Sequence, residues 1–266
     1  MATLVCFHAH PDDEAISTGG LMATASDAGH RVVLVCATRG EEGEPQEGVL
    51  DDGEALWERR VVELATSCSV LGAEEPRFLG YEDSGMIDEP SNDNPACFWK
   101  ADHAEAVDRL AAILEEVDAD VLTIYDDHGG YGHPDHLQVH RVGLAAARQV
   151  GIDHVYEATI NRDRVRDMMA QAQDPDSGLD LDEPGVDVET FGTANEDISF
   201  ELDVRTVIGR KKESITAHRS QVGPDSFFLT MPDEIFEVAF GFEWFNVPET
   251  ANTGGPTSVT TLPGLD

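Results

Sequence analysis

The chain of 266 residues contains no apolar run of the roughly 18 or more residues that a spanning helix needs, so no membrane segment is expected. Basic residues are scarce. Seventeen Lys and Arg face 53 Asp and Glu, leaving a net charge of −36. A field of that sign repels nucleic acid and anionic lipid, which excludes both as partners. The acidity reads as a solvated surface, as in a salty cytoplasm or simply an acidic proteome, rather than as a site for a cationic partner. Cysteine pairs are also missing: Cys6, Cys36, Cys68 and Cys97 form no Cys-x-x-Cys, and Cys6 and Cys36 sit in apolar runs as small reduced core residues. No basic leader with a cleavage pattern precedes Leu4-Val5-Cys6-Phe7, and the expected location is cytoplasmic. The first strand-to-helix turn lacks G-x-G-x-x-G and carries bulky acids instead, so it cannot cradle a dinucleotide.

What is present alternates. Apolar strand-like runs at residues 4–7, 31–37, 77–79, 121–125 and 154–158 are separated by helical patterns at 14–28, 53–71, 102–117 and 136–150. That order predicts an α/β fold with a mostly parallel sheet covered by helices on both faces. A further helix is expected over 204–217. Residues 171–197 read as a long acidic loop, in which Asp174–Gly178 only loosely resembles a calcium loop. One domain is expected over residues 1–247, followed by a loose polar tail at 248–266.

The chemistry is concentrated in two strand-end segments, His10-Pro11-Asp12-Asp13-Glu14 and Tyr131-Gly132-His133-Pro134-Asp135-His136. His10 and Asp13, three residues apart on a turn stiffened by Pro11, can converge on one ion, and His136 is the natural third ligand. Two imidazoles and a carboxylate suit Zn2+ with one position left for water; Fe2+ or another divalent ion fits the same set. Asp12 is then a candidate general base, with a helix N-cap as its alternative role. His133 is a candidate donor to an oxyanion or leaving amine, with Asp135 expected to orient and charge its ring. Glu14 is assigned to the helix dipole or a buried ion pair.

These paired motifs resemble the LmbE-like, or PIG-L, family of metal-dependent N-deacetylases, over residues 3–151 and again at Ala217-His218-Arg219-Ser220-Gln221. The resemblance implies a Rossmann-like fold, zinc on His10, Asp13 and His136, Asp12 as base, and His133 with Asp135 as the acid or electrostatic partner. It places Tyr131 at the oxyanion, and Glu44, Arg60 and Asp83 against the sugar. His218 and Gln221 would close the pocket floor. Residues alone leave Arg60 open as a helix-face partner of Glu63, and Asp83 as a turn residue. Gly132 stands where conjugate amidases tend to carry proline, which favours deacetylation of an N-acyl amino sugar over hydrolysis of a mycothiol-type conjugate. An iron(II) oxygenase and a non-catalytic metal- or sugar-binding protein are the rival classes, and a homo-oligomer is compatible with either.

Overall fold

The computed structural model describes residues 1–172 and 191–266. Its centre is a sheet of eight strands: β1 (Thr3–His8), β2 (Arg31–Cys36), β3 (Arg77–Phe78), β4 (Val121–Tyr125), β5 (His154–Thr159), β6 (Phe200–Asp203), β7 (Phe242–Asn246) and β8 (Thr257–Val259). They lie in the order β3-β2-β1-β4-β5-β7-β6-β8. The first five are mutually parallel, β7 runs antiparallel to β5 and β6, and β8 lies parallel to β6. The expected α/β, mostly parallel sheet is what forms.

Burial on both faces explains the apolar strands. On β1, Leu4 and Cys6 join a core with α2 (Gly19–Asp27), α3 (Leu56–Leu71), β6 and β7. Val5 and Phe7 point into the other core, with α4 (His103–Glu116) and α6 (Pro134–Val150). Period-two alternation thus loads both layers from one strand. The four cysteines are buried and free. Among the described residues no helix is long and apolar enough to cross a membrane.

Several boundaries differ from expectation for visible reasons. The helix expected over 14–28 is broken at Thr18, whose φ of −136° is not helical, into α1 (Asp13–Ser17) and α2. Thr18 Oγ1 is drawn to the His8 ring at 2.8 Å, and the Glu243 carboxylate accepts the Gly20 and Leu21 N–H groups at 2.7 and 2.8 Å, restarting the helix. The helix expected at 204–217 likewise opens as a tight turn, Arg205–Val207, before α8 (Ile208–Ala217). The end of the chain is not a loose tail. β8 pairs with β6, Leu262 and Leu265 are buried in the second core, and the Tyr156 hydroxyl donates to Pro263 O at 2.9 Å. Asp174–Gly178 lies outside the described residues.

Topology places the site. The strand order reverses between β1 and β4, and in open α/β sheets the crevice beyond the strand ends at such a point binds ligands. The first motif follows β1 and the second follows β4, so hydrogen-bonded neighbours deliver both to one spot.

Candidate active site and metal centre

After β1 the chain turns sharply through Pro11 and Asp12 into α1. Asp12 has φ 105°, a left-handed conformation that costs a non-glycine residue about 1–3 kcal/mol, so the turn must be held by its surroundings. Its side chain makes no cap bond to α1, which removes the N-cap alternative. Instead Asp12 Oδ2 accepts from Arg60 Nη2 at 3.1 Å, and Arg60 also donates to Pro11 O at 2.5 Å and to Gly40 O at 2.9 Å. Arg60 is therefore not the partner of Glu63, whose carboxylate accepts from Ser220. Burial pushes the Asp12 carboxyl up to about 6, with Arg60 pulling down and Asp13 pushing up.

The turn brings Asp13 against both candidate imidazoles. Asp13 Oδ2 stands 3.4 Å from His10 Nδ1 and 3.4 Å from His136 Nε2. Ligands about 2.0–2.1 Å from a tetrahedral zinc are roughly 3.3 Å apart, so these spacings suit a shared ion. His136 Nε2 is buried and has no hydrogen-bond partner among the described residues, as expected of a nitrogen kept for a metal. His10, His133 and His136 also bring ring nitrogens within 4.8 Å, as do ligand atoms of His10, Asp83 and Asp135. Hydrogen bonding distinguishes these groups. His10 Nε2 lies 3.2 Å from Asp135 Oδ2 and 3.4 Å from Asp83 Oδ1, which fixes its proton there and turns Nδ1 inward. Burial opposes a charged His10 ring, but Asp83, Asp13 and Asp135 outweigh it and raise its pKa well above the usual range. Burial likewise opposes ionised Asp13, yet His136 and His10 hold it well below the ordinary carboxylate range.

Asp135 differs from expectation. Its carboxylate accepts from the Ser84 hydroxyl and, at 2.9 Å, from Ser84 N, and it reaches His10 rather than His133. Only its backbone N–H touches His133, donating to Nδ1 at 3.1 Å as α6 begins. That bond leaves the His133 proton on Nε2. Burial, with His10 and His136 beside it, pulls His133 down to about 3. Its ring is held neutral, not as the imidazolium that its sequence neighbour suggested.

Tyr131 sits on α5 (Gly129–Gly132), a short turn whose three glycines all have positive φ. Its half-exposed ring lies 4.9 Å from that of His136 and 6.2 Å from that of His133. A cleft of about 350 Å3 opens from His10, Asp12 and His133 and is lined by Glu42, Glu44, Arg60, Asp83 and Met86. Glu44, Arg60 and Asp83 thus meet in one place, although Arg60 faces Asp12 as much as the cleft. His218 and Gln221 pack beneath the first turn: His218 Nε2 bonds Glu14 at 2.7 Å, and Gln221 approaches Gly43.

Three contributors escaped the sequence reading. Tyr125, the last residue of β4, stacks on His136 with centroids 4.3 Å apart. His8 bridges Tyr125 Oη at 2.7 Å and Thr18 at 2.8 Å; burial lowers its pKa to about 4, so it serves as a neutral strut. Ser84 holds Asp135. For His8 and Tyr125 the available signal was a polar side chain at the motif end of a buried strand.

Known proteins resemble this chain in sequence and in fold. The PIG-L family, described as GlcNAc-PI de-N-acetylase, matches residues 5–147. A 1D-myo-inositol 2-acetamido-2-deoxy-alpha-D-glucopyranoside deacetylase of Acidothermus cellulolyticus is 38% identical, over 91% of this chain and 87% of its own. Its namesake in Thermomonospora curvata is 36% identical, over 97% and 96%. Among solved structures, N,N'-diacetylchitobiose deacetylase from Pyrococcus horikoshii superposes with a TM-score of 0.59 at 22% identity, covering 92% of this chain and 82% of that one. A conserved protein from Thermus thermophilus gives 0.58 at 20% identity, covering 93% and 95%. At those identities the structures speak for the fold, whereas the family match and the sequence relatives speak for descent. The chain belongs to the PIG-L, or LmbE-like, family of N-deacetylases.

Proposed function

We propose that the protein hydrolyses the N-acetyl group of an N-acetylglucosaminyl-inositol type of substrate, using a divalent ion held by His10, Asp13 and His136. The observation that carries this reading is the Asp13 oxygen 3.4 Å from both imidazoles, with Asp12 fixed beside it by Arg60. The two imidazoles and one carboxylate suit zinc and iron(II) alike. Bound there, the ion would polarise the amide carbonyl and acidify a water.

The remaining work falls to side chains. Asp12 removes a proton from the attacking water, and its pKa of about 6 keeps it largely ionised at neutral pH. The neutral His133 Nε2–H and the Tyr131 hydroxyl donate to the carbonyl oxygen as charge develops on it. Because the His133 proton is its last, the proton taken up by Asp12 is the one passed to the departing nitrogen. Acetate and a free amine leave. Glu44, Arg60 and Asp83 supply carboxylate and guanidinium partners for sugar hydroxyls in the cleft, a role supported by their shared lining.

The test is acetate release from N-acetylglucosaminyl-inositol by protein stripped with a chelator and reloaded with Zn2+ or Fe2+. Stripped protein should be inactive and reloaded protein active. Asp12→Asn should keep its metal and lose about 10²–10⁴-fold in kcat. Equal activity with and without metal, or a fully active Asp12→Asn, would reject the mechanism.

A further inference from the structure

Beneath the reaction centre lies a charged pair that the mechanism leaves unused. Glu14 and His218 are both fully buried, 204 residues apart in sequence, with Glu14 Oε1 2.7 Å from His218 Nε2. Neither faces the cleft. The same Glu14 oxygen accepts from Ser67 Oγ at 2.5 Å, and Ser67 in turn meets Ser214 Oγ at 2.7 Å on α8. The other oxygen, Oε2, accepts the backbone N–H of Asp12 at 2.9 Å.

That last bond matters because of where it lands. Asp12 carries the left-handed backbone of the turn, with φ 105°, and a residue in this conformation persists only when its surroundings over-determine it. Arg60 restrains Asp12 from its carboxylate and from Pro11 O; Glu14 restrains it from the amide. Glu14 lies at the head of α1 and reaches back over two residues, so its own direction has to be fixed from elsewhere. His218 and Ser67 fix it, on elements remote in sequence. A pair kept merely to join α1 to α8 would have no need of the Asp12 amide.

We propose that Glu14 and His218 form a positioning pair for Asp12: they lock the backbone of the turn so that its carboxylate faces the reacting water. The proposal rests on the reading of Asp12 as the base. It assigns the Ala217–Gln221 segment a definite task through His218. His218 aims Glu14, Glu14 aims the Asp12 amide, and no member of the pair touches substrate.

The test compares Asp12→Asn, Glu14→Asp, His218→Ala and His218→Gln in metal-loaded protein, recording kcat, KM, bound metal per chain and Tm. Glu14→Asp keeps the charge but is one methylene too short to reach both Asp12 and His218. His218→Gln keeps a donor for Glu14. Loss of an outer partner of this kind typically costs about 10–100-fold in activity, so Glu14→Asp and His218→Ala should lose that much in kcat with KM within about twofold and metal content unchanged. His218→Gln should recover most of the loss. In the Asp12→Asn background, His218→Ala should lower the residual rate by less than about threefold, because an absent base cannot be misaimed further. Wild-type kcat in Glu14→Asp and His218→Ala alongside a dead Asp12→Asn overturns the pairing while leaving the base intact. Full additivity with Asp12→Asn, or loss of metal in step with activity, also overturns it. A fully active Asp12→Asn instead rejects Asp12 as the base, and the positioning proposal falls with that reading. Should His218→Ala fail to fold, the Glu14→Asp result and the His218→Gln rescue decide the question.

Discussion

The parallel half of the sheet and its antiparallel extension do different jobs. Strands β3 to β5 and their loops carry the candidate ligands His10, Asp13 and His136, together with Asp12 and His133. The extension, from β6 to β8 with α8, contributes none of these. It instead braces the first half from behind: His218 reaches Glu14, Ser220 donates to Glu63, and Glu243 restarts α2 while paired with Lys211. Short motifs put reactive groups in place, and partners far away in sequence hold them there.

Lys211→Met offers the hardest blow to the bracing half. Lys211 and Glu243 are both almost fully buried, 2.6 Å apart, and removing one partner strands the other charge, typically at a cost of about 3–5 kcal/mol. Denaturant midpoints should fall accordingly, while kcat of the protein still folded stays near wild type. A lost kcat at full stability would abolish the division of labour drawn above.

Leu262→Ala asks whether the docked end of the chain belongs to the brace. A fully buried leucine cut to alanine costs about 2–5 kcal/mol. A midpoint unchanged by this substitution would make the segment dispensable.

Glu157→Gln examines the seam, since β5 pairs with β4 on one side and β7 on the other. Burial first, then Asp126 and Asp127, raises the Glu157 carboxyl from 4.5 to about 7. A raised carboxyl supports the fold fully below its unfolded value and loses that support as pH climbs through its folded one. Wild-type stability should therefore fall relative to Glu157→Gln between about pH 4.5 and 7, by at most about 3 kcal/mol, and level off above. Parallel stability curves for the two proteins across pH 4–8 would contradict this.

Salt should discriminate least. With a net charge of −36, shortening the screening length from about 10 Å at 0.1 M to about 3 Å at 1 M relieves self-repulsion. Tm should rise by a few degrees in wild type and in all three variants alike. A rise confined to one variant would trace the repulsion to one half.

The parallel half was readable because its signals are local. Val121–Tyr125 is a buried strand as its apolar run indicates, α3 stops at Gly72 with φ 76°, and both motifs sit where strands end. The candidate ligand set follows from two segments of about five residues each. Contacts across the chain were another matter. Asp135 lies two residues from His133, yet its carboxylate turns to Ser84 and His10, 51 and 125 residues away. The break at Thr18 depends on His8 within the motif region and on Glu243 from the far end. The polar composition of the last residues hid Leu262 and Leu265, two apolar anchors too few to form a period of their own.

The left-handed turn at position 12 narrows what evolution or a mutagenesis library can place there. Glycine takes up this backbone freely, asparagine and aspartate do so at the least cost among residues with a side chain, and valine or isoleucine would spoil the geometry before chemistry was in question. A saturation screen should return a short alphabet of well-folded proteins, with aspartate alone among them turning over. With the proposed role of Asp12 as base, catalytic need and steric permission coincide on one residue, which leaves this position little room to drift.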